Sequence, residues 1–300
     1  MENFKSGFVS LLGRTNVGKS TLINALVGEK VAIATSKTQT TRTAIKAIIT
    51  ENNYQIIITD TPGIHKPKNK LGEAMVDTAY KIMDDVDCIL FLIEADHKKI
   101  GPGEQIILQK IIESKKKCIL VINKIDLISK EDLIKLIDLY KNEYNFEAVV
   151  PISAEKKRGI KELKEEIVKV LPEGPKYFDS EEYTDQTIRQ MAEEIIREKA
   201  LKLLDKEVPH GIYVEIEKFQ YRKTNSGEDI CDISAIIYCI RESHKGIIIG
   251  KNGDKLKKIG TYARQDLEKL LDLKVNLKLW VKVNSEWQEK DSIVKRFKLK

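Results

Sequence analysis

The sequence predicts two domains of different fold class. An α/β domain, a mostly parallel sheet flanked by helices, is expected over residues 1–172, and a smaller α+β domain over 184–300, with a linker at 173–183. Three observations carry this reading. Apolar runs at Phe8–Leu12, Ile56–Thr59, Cys118–Ile122 and Ala148–Ile152 are nearly continuous, as in parallel strands buried on both faces. A helix from Gly159 to Val170 then stops at Leu171-Pro172-Glu173-Gly174-Pro175, a break rich in proline. Beyond the break the order of elements changes, and 300 residues suffice for two hydrophobic cores.

The run Phe8–Leu12 leads into Gly13-Arg14-Thr15-Asn16-Val17-Gly18-Lys19-Ser20, and a helix over Thr21–Val27 follows. This is G-x-x-x-x-G-K-[ST] in its strand–loop–helix setting, a phosphate-binding P-loop. Its backbone N–H groups converge on phosphate oxygens at a helix N-terminus. Lys19 is expected on the β/γ-phosphates and the Ser20 hydroxyl on Mg²⁺. Asp60 ends the second apolar run, where a carboxylate holds Mg²⁺ through water. Within Asp60-Thr61-Pro62-Gly63, Gly63 offers its N–H to a terminal phosphate.

The third run ends in Asn123-Lys124-Ile125-Asp126. The Asp126 carboxylate can accept from N1–H and N2–H₂ of guanine, whereas adenine offers no donors there. Lys124 covers the base with its stem, and Asn123 ties this loop to the phosphate side. Ser153-Ala154, after the fourth run, is expected to add a backbone amide to guanine O6. Four segments in this order describe a P-loop GTPase domain with GTP and GDP as ligands.

Two loops are candidates for sensing the γ-phosphate. Gln39-Thr40-Thr41-Arg42 follows the first helix, and a threonine hydroxyl there can complete the Mg²⁺ shell only while GTP is bound. The residues themselves do not choose between Thr40 and Thr41. After Gly63 stands Ile64, where many GTPases carry a glutamine that orients the attacking water. Isoleucine cannot do this. Asn16 is either a neutral loop residue or a ligand for K⁺ near the β/γ-phosphates. Catalytic candidates are therefore Lys19, Gly63, Asn16 and one of Thr40 and Thr41, while His65 reads as a surface loop residue.

In the second domain a helix is expected over Thr184–Leu204, strands over Ile212–Tyr221 and Ile230–Ile240, a helix over Asp254–Leu271 and a strand over Lys274–Val283. Between the second strand and the last helix lie a short apolar segment and the loop Gly250-Lys251-Asn252-Gly253. Helix, two strands, helix, G-x-x-G, helix and strand is the order of a type II KH domain. Such a loop lets single-stranded RNA approach the backbone. Ile247, Ile248 and Ile249 are expected as an apolar floor for bases, and Lys245, Lys251, Lys255, Lys257 and Lys258 as phosphate contacts. Residues 241–300 carry 16 Lys+Arg against 8 Asp+Glu, whereas 173–240 carry 9 against 15, so positive charge gathers around this loop.

The segments at 13–20, 39–42, 60–65, 123–126 and Ile247-Ile248-Ile249-Gly250-Lys251-Asn252-Gly253 together resemble the Era family of bacterial GTPases, over nearly the whole chain. The resemblance implies GTP hydrolysis coupled to binding the 3′ end of 16S rRNA during assembly of the 30S subunit. It implies Thr41 as the Mg²⁺ ligand and Asn16 at a K⁺ position, and it accommodates an apolar Ile64. It also implies peripheral membrane association; a monomer in the cytoplasm is expected. A nucleotide-gated RNA-binding scaffold with negligible hydrolysis is the alternative that Ile64 leaves open. A P-loop kinase would leave Asn123, Asp126 and the G-x-x-G loop without a role.

No apolar stretch approaches the roughly 20 residues needed to span a bilayer, and Met1-Glu2-Asn3-Phe4-Lys5 has no signal-peptide pattern. Cys88, Cys118, Cys231 and Cys239 lack metal-ligand spacing and read as buried, reduced thiols. The basic tail Lys295–Lys300 suits RNA or anionic lipid equally.

Overall fold

A computed structural model describes residues 4–35, 37, 41–62, 67, 69–96 and 99–295. The first unit is built on six strands: β1 (Lys5–Leu12), β2 (Ile45–Thr50), β3 (Tyr54–Asp60), β4 (Cys88–Glu94), β5 (Lys117–Asn123) and β6 (Ala148–Pro151). Their order is β2-β3-β1-β4-β5-β6, with β2 antiparallel at the edge and the rest parallel. Helices α1 (Lys19–Val27), α2 (Lys70–Asp84), α3 (Pro102–Ser114), α4 (Lys130–Lys141) and α5 (Ile160–Val170) cover both faces. Leu22, Ile23 and Leu26 of α1 pack with Leu163 and Ile167 of α5 on one side. Ile82, Ile107, Ile111, Leu136 and Tyr140 fill the other. This explains the unbroken apolar runs: Ile56, Ile57 and Ile58 are all fully buried, whichever face they point to.

In such a sheet the loops at the carboxyl ends of the parallel strands gather on one edge. The P-loop follows β1, Asp60 ends β3, Asn123 ends β5 and Ser153 follows β6, so topology alone brings the four motifs together.

The segment expected as a linker is bound to the first unit. Ser6 N donates to Pro172 O at 3.1 Å, and Gly174 N to Phe4 O at 3.1 Å. The buried Gln55 side chain accepts from Tyr177 N and Phe178 N and donates to Phe178 O. Ile48 N donates to Tyr183 O and Lys46 N to Asp185 Oδ1, continuing the edge of β2. The division between units therefore falls after Asp185. The next helix, α6 (Ile188–Leu203), starts later than the expected Thr184. Residues 183–185 are engaged by β2, and Thr187 with Gln190 forms a capping box.

The second unit continues with β7 (Tyr213–Lys223), β8 (Asp229–Cys239), α7 (Glu242–Ile249), α8 (Asp254–Leu271) and β9 (Lys274–Val283). The sheet order is β7-β8-β9, antiparallel then parallel. Fully buried Cys231, Ile233, Ala235 and Ile237 of β8 join Ile259, Ala263 and Leu267 of α8 in its core. A short helix, α9 (Asp291–Val294), groups with the first unit, where Asp291 lies 3.3 Å from Lys70. All four cysteines are buried and free. Among the described residues no helix is long and apolar enough to cross a membrane, and no cluster of metal-ligating side chains is present.

Candidate active site and nucleic-acid interface

The P-loop ends at Gly18, with φ +97°. A Cβ at that position would lie 2.3 Å from Asn123 Nδ2, so both conformation and space demand glycine. Asn16 is left-handed as well, with φ 69°. Lys19 opens α1 and folds back over the loop, its Nζ donating to Gly13 O at 3.0 Å and Arg14 O at 2.8 Å. Burial pulls its pKa down to about 8, partly opposed by the Asp60 carboxylate. A phosphate in this loop supplies the negative charge that the ammonium lacks. Thr15 is half-buried and Val17 is buried beneath the loop; Thr21 is half-buried in the first turn of α1.

Three oxygens meet beside Lys19. Ser20 Oγ and Thr41 Oγ1 are 3.1 Å apart, and both donate to Asp60 Oδ2, at 3.2 and 3.1 Å. Adjacent ligands of an octahedral Mg²⁺ with bonds of about 2.0–2.1 Å stand about 2.9 Å apart, so this oxygen set fits that cation. With their protons given to Asp60, the hydroxyls keep lone pairs for the metal. Thr41 is thus beside Ser20 and Asp60, whereas Gln39, Thr40, Gly63, Ile64 and His65 lie outside the described residues. Buried Thr61 donates to Leu11 O at 2.7 Å, and buried Pro62 follows it.

Asn123 joins the phosphate and base sides. Its Nδ2 donates to Val17 O at 2.8 Å, and its Oδ1 accepts from Ala154 N at 3.0 Å. Of the Ser153-Ala154 pair, expected to supply a backbone amide to guanine O6, the Ala154 amide is thus engaged by Asn123, and Ser153 N donates to Arg158 O at 3.1 Å. Lys124 is left-handed, donates to Asn16 O at 3.2 Å and pairs with Glu94. Asp126 is exposed, and the Ser153 hydroxyl, followed by Lys156 and Arg158, holds its carboxyl below the usual range. It is therefore ionised and open to a ligand that carries paired donors.

Two partners escaped the sequence reading. Glu94 holds Lys124. Buried Glu104 on α3 takes Arg14 at 3.0 Å, so the Arg14 side chain points away from the phosphate loop. Neither acid sits in a motif; only the fold brings it near.

In the second unit, Gly250 turns the chain with φ +76°, and a Cβ there would lie 2.7 Å from Lys255 Cβ. Asn252 and Gly253 are also left-handed, and Lys251 and Asn252 are exposed. A groove of about 500 Å³ opens from this loop between α8 and the free edge of β9, lined by Gly253, Leu256, Lys257, Gly260, Arg264 and Asn276 among others. Lys255 is half-buried and Lys258 exposed outside this lining; Lys245 lies 3.8 Å from Glu242. The apolar floor is a correction. Ile248 is fully buried in the core, because α7 turns it inward, while Ile247 is exposed and Ile249 half-buried. Gly260 was missed, although a glycine inside a helical pattern is a sign of close approach.

A P-loop, an oxygen set suited to Mg²⁺ and an Asn-Lys-x-Asp base loop, followed by a G-x-x-G unit, define a class: P-loop GTPases carrying a KH domain. The comparisons agree. The family described as "50S ribosome-binding GTPase" matches residues 8–124, and the KH domain family matches 207–288. GTPase Era of Caldanaerobacter subterraneus is 52% identical, covering 98% of this chain and 97% of its own length. GTPase Era of Clostridioides difficile is 52% identical, covering 98% of both. An Aquifex aeolicus Era variant bound to GDP·AlF₄⁻ superposes with a TM-score of 0.94 at 40% identity, covering 99% of this chain and 100% of its own. A structure of Era with MgGDPNP and nucleotides 1506–1542 of 16S ribosomal RNA gives the same TM-score, identity and coverage. The chain belongs to the Era family of GTPases.

Proposed function

We propose that this chain is a Mg²⁺-dependent GTPase switch that binds the 3′ end of 16S rRNA and acts in assembly of the 30S subunit. The observation that carries the nucleotide half is the convergence of Ser20, Thr41 and Asp60 oxygens within 3.2 Å, beside a buried Lys19. The groove at Gly250–Gly253 supports the RNA half, as does the related Era structure holding MgGDPNP and 16S rRNA.

Ser20 and Thr41 would hold Mg²⁺ directly and Asp60 through water. The ion, when bound, neutralises charge on the β- and γ-phosphate oxygens. Lys19 releases the carbonyls of Gly13 and Arg14 and turns its ammonium to the phosphates, with Gly63 N–H on the terminal one. Asn123 keeps the phosphate and base loops in one register. Asp126 selects guanine by accepting two hydrogen bonds. Ile64 cannot orient water, so charge stabilisation falls to the P-loop, with Asn16 supporting K⁺. The chain acts as a monomer in the cytoplasm, with the basic tail available to an anionic membrane surface.

Phosphate release from GTP, measured in K⁺ and in Na⁺ with and without an oligonucleotide of the 16S 3′ end, tests this reading. Stimulation by both K⁺ and RNA is the expected result. Negligible turnover under every condition would leave a nucleotide-gated scaffold instead.

A further inference from the structure

The three-stranded sheet of the second unit has two unlike faces. On β9, Val275 and Val281 are buried toward the helices, so Asn276, Lys278, Trp280 and Lys282 stand on the opposite face. Pairing places Ser234 of β8 beside Lys278, and Ile236 beside Trp280. Across β8, Ser234 is also paired with Lys218 of β7. The middle of this face is therefore a small polar residue between two lysines.

Trp280 is 44% exposed, unusual for the largest apolar side chain. The other tryptophan, Trp287, is fully buried and packs 4.8 Å from Tyr213, which itself stacks on Tyr238 at 4.6 Å. That aromatic set supports one end of the sheet, and Trp280 is not part of it. Lys278 is exposed and makes no ion pair among the described residues. Lys282 reaches Glu217 only at 3.6 Å, with both side chains more than half exposed, a pair that water and salt weaken readily. Asp232 and Glu215 both stand on this face: Asp232 is engaged by Arg222 at 2.8 Å and by Asn276 at 3.0 Å, and Glu215 lies one strand beyond Ile236 from Trp280.

An exposed indole flanked on its own strand by two available lysines matches single-stranded nucleic acid, with a base on the ring and phosphates on the ammonium groups. A lipid surface would call for a broad apolar face, and Ser234, Gln220, Asn276 and Asp232 make this one polar. Asn276 also lines the groove, so the two regions are continuous along β9, about 13 Å apart at about 3.3 Å per residue. Resting on the RNA reading of that groove, we propose that the open face of this sheet is a second RNA-contact surface. Trp280 stacks a base of the strand leaving the groove, and Lys278 and Lys282 hold its phosphates.

The test compares two single-stranded RNAs from the 16S 3′ end, one of about six nucleotides to fill the groove and one of about twelve to run past it. Trp280→Ala is expected to weaken the longer RNA about tenfold and leave the shorter unchanged. Lys278→Glu with Lys282→Glu is expected to do the same and to lower the salt slope by about 1.4. In the unsubstituted chain the longer RNA quenches the exposed Trp280 fluorescence and the shorter does not. Equal binding of the longer RNA by all variants, or no quenching at saturation, overturns the proposal. Loss of binding to phosphatidylglycerol vesicles with RNA binding intact overturns it too and assigns the face to lipid. If neither RNA binds the unsubstituted chain, the groove reading itself fails, a different result from short RNA binding without gain from length. Basal GTPase activity and circular dichroism, unchanged in every variant, exclude misfolding as the cause.

Discussion

Replacing Asn123 by alanine removes the tie between phosphate and base loops, and its effect follows from two hydrogen bonds. The side chain is 3% exposed, donates to Val17 O at 2.8 Å and accepts from Ala154 N at 3.0 Å. The substitution leaves a carbonyl and an amide unpaired in a buried place, at about 1–3 kcal/mol each before the loops relax. Relaxation lets water reach one of them, which lowers the sum to about 2–4 kcal/mol. Both groups lie in ligand loops rather than in the strands, so the loss appears in affinity more than in unfolding. It corresponds to GDP binding weakened about 30- to 900-fold. Titration calorimetry with GDP gives the affinity, and urea unfolding without nucleotide gives the stability. Affinity within threefold of the unsubstituted protein would refute the reasoning, as would a loss confined to the urea midpoint.

Three further outcomes follow from the site and core. Asp126→Asn inverts one donor–acceptor position, so preference should move from GDP toward xanthosine diphosphate; retained preference for GDP in a competition assay would contradict the base assignment. Gly18→Ala puts a methyl 2.3 Å from Asn123 Nδ2 at φ +97°, and nucleotide binding should be lost while far-UV circular dichroism is retained. Burial, with Glu147 next, pushes the Cys88 thiol up to about 12. The folded state therefore keeps a proton that the unfolded chain releases from about pH 8.5 upward. Stability from this group is intact below that pH and falls as pH rises toward 12. Native Cys88 should resist iodoacetamide at pH 8.5 and react on unfolding, as mass spectrometry would show.

The nucleotide motifs were legible because each is a short run whose spacing is imposed by a phosphate or a base. Asp60, Asn123 and Ser20 could be placed without knowing the sheet order. Glu94 and Glu104 could not, since each meets its partner only through the ordering of β1, β4 and β5 and the placement of α3. Boundaries failed where tertiary bonding intervened: Thr184 and Asp185 read as helix, yet β2 claims the backbone of both and the Asp185 carboxylate. Ile248 illustrates a third limit. Three consecutive isoleucines look alike in sequence, and only the rotation of α7 decides that one faces the core and its neighbour faces water.

The parallel pairing of β8 with β9 bears on how this molecule is made. A hairpin can join β7 to β8 early, but β9 reaches β8 only after residues 240–273 have formed α7 and α8 and crossed back. Closing that long connection costs entropy before it returns any contact, which makes this pairing slow. On a nascent chain, the six-stranded sheet and its five covering helices can form once residue 185 has emerged, while one wall of the groove awaits β9. Binding at the groove therefore reports a chain made at least as far as Val283. Pulse-labelled hydrogen exchange during refolding should find β9 amides protected after those of β7 and β8.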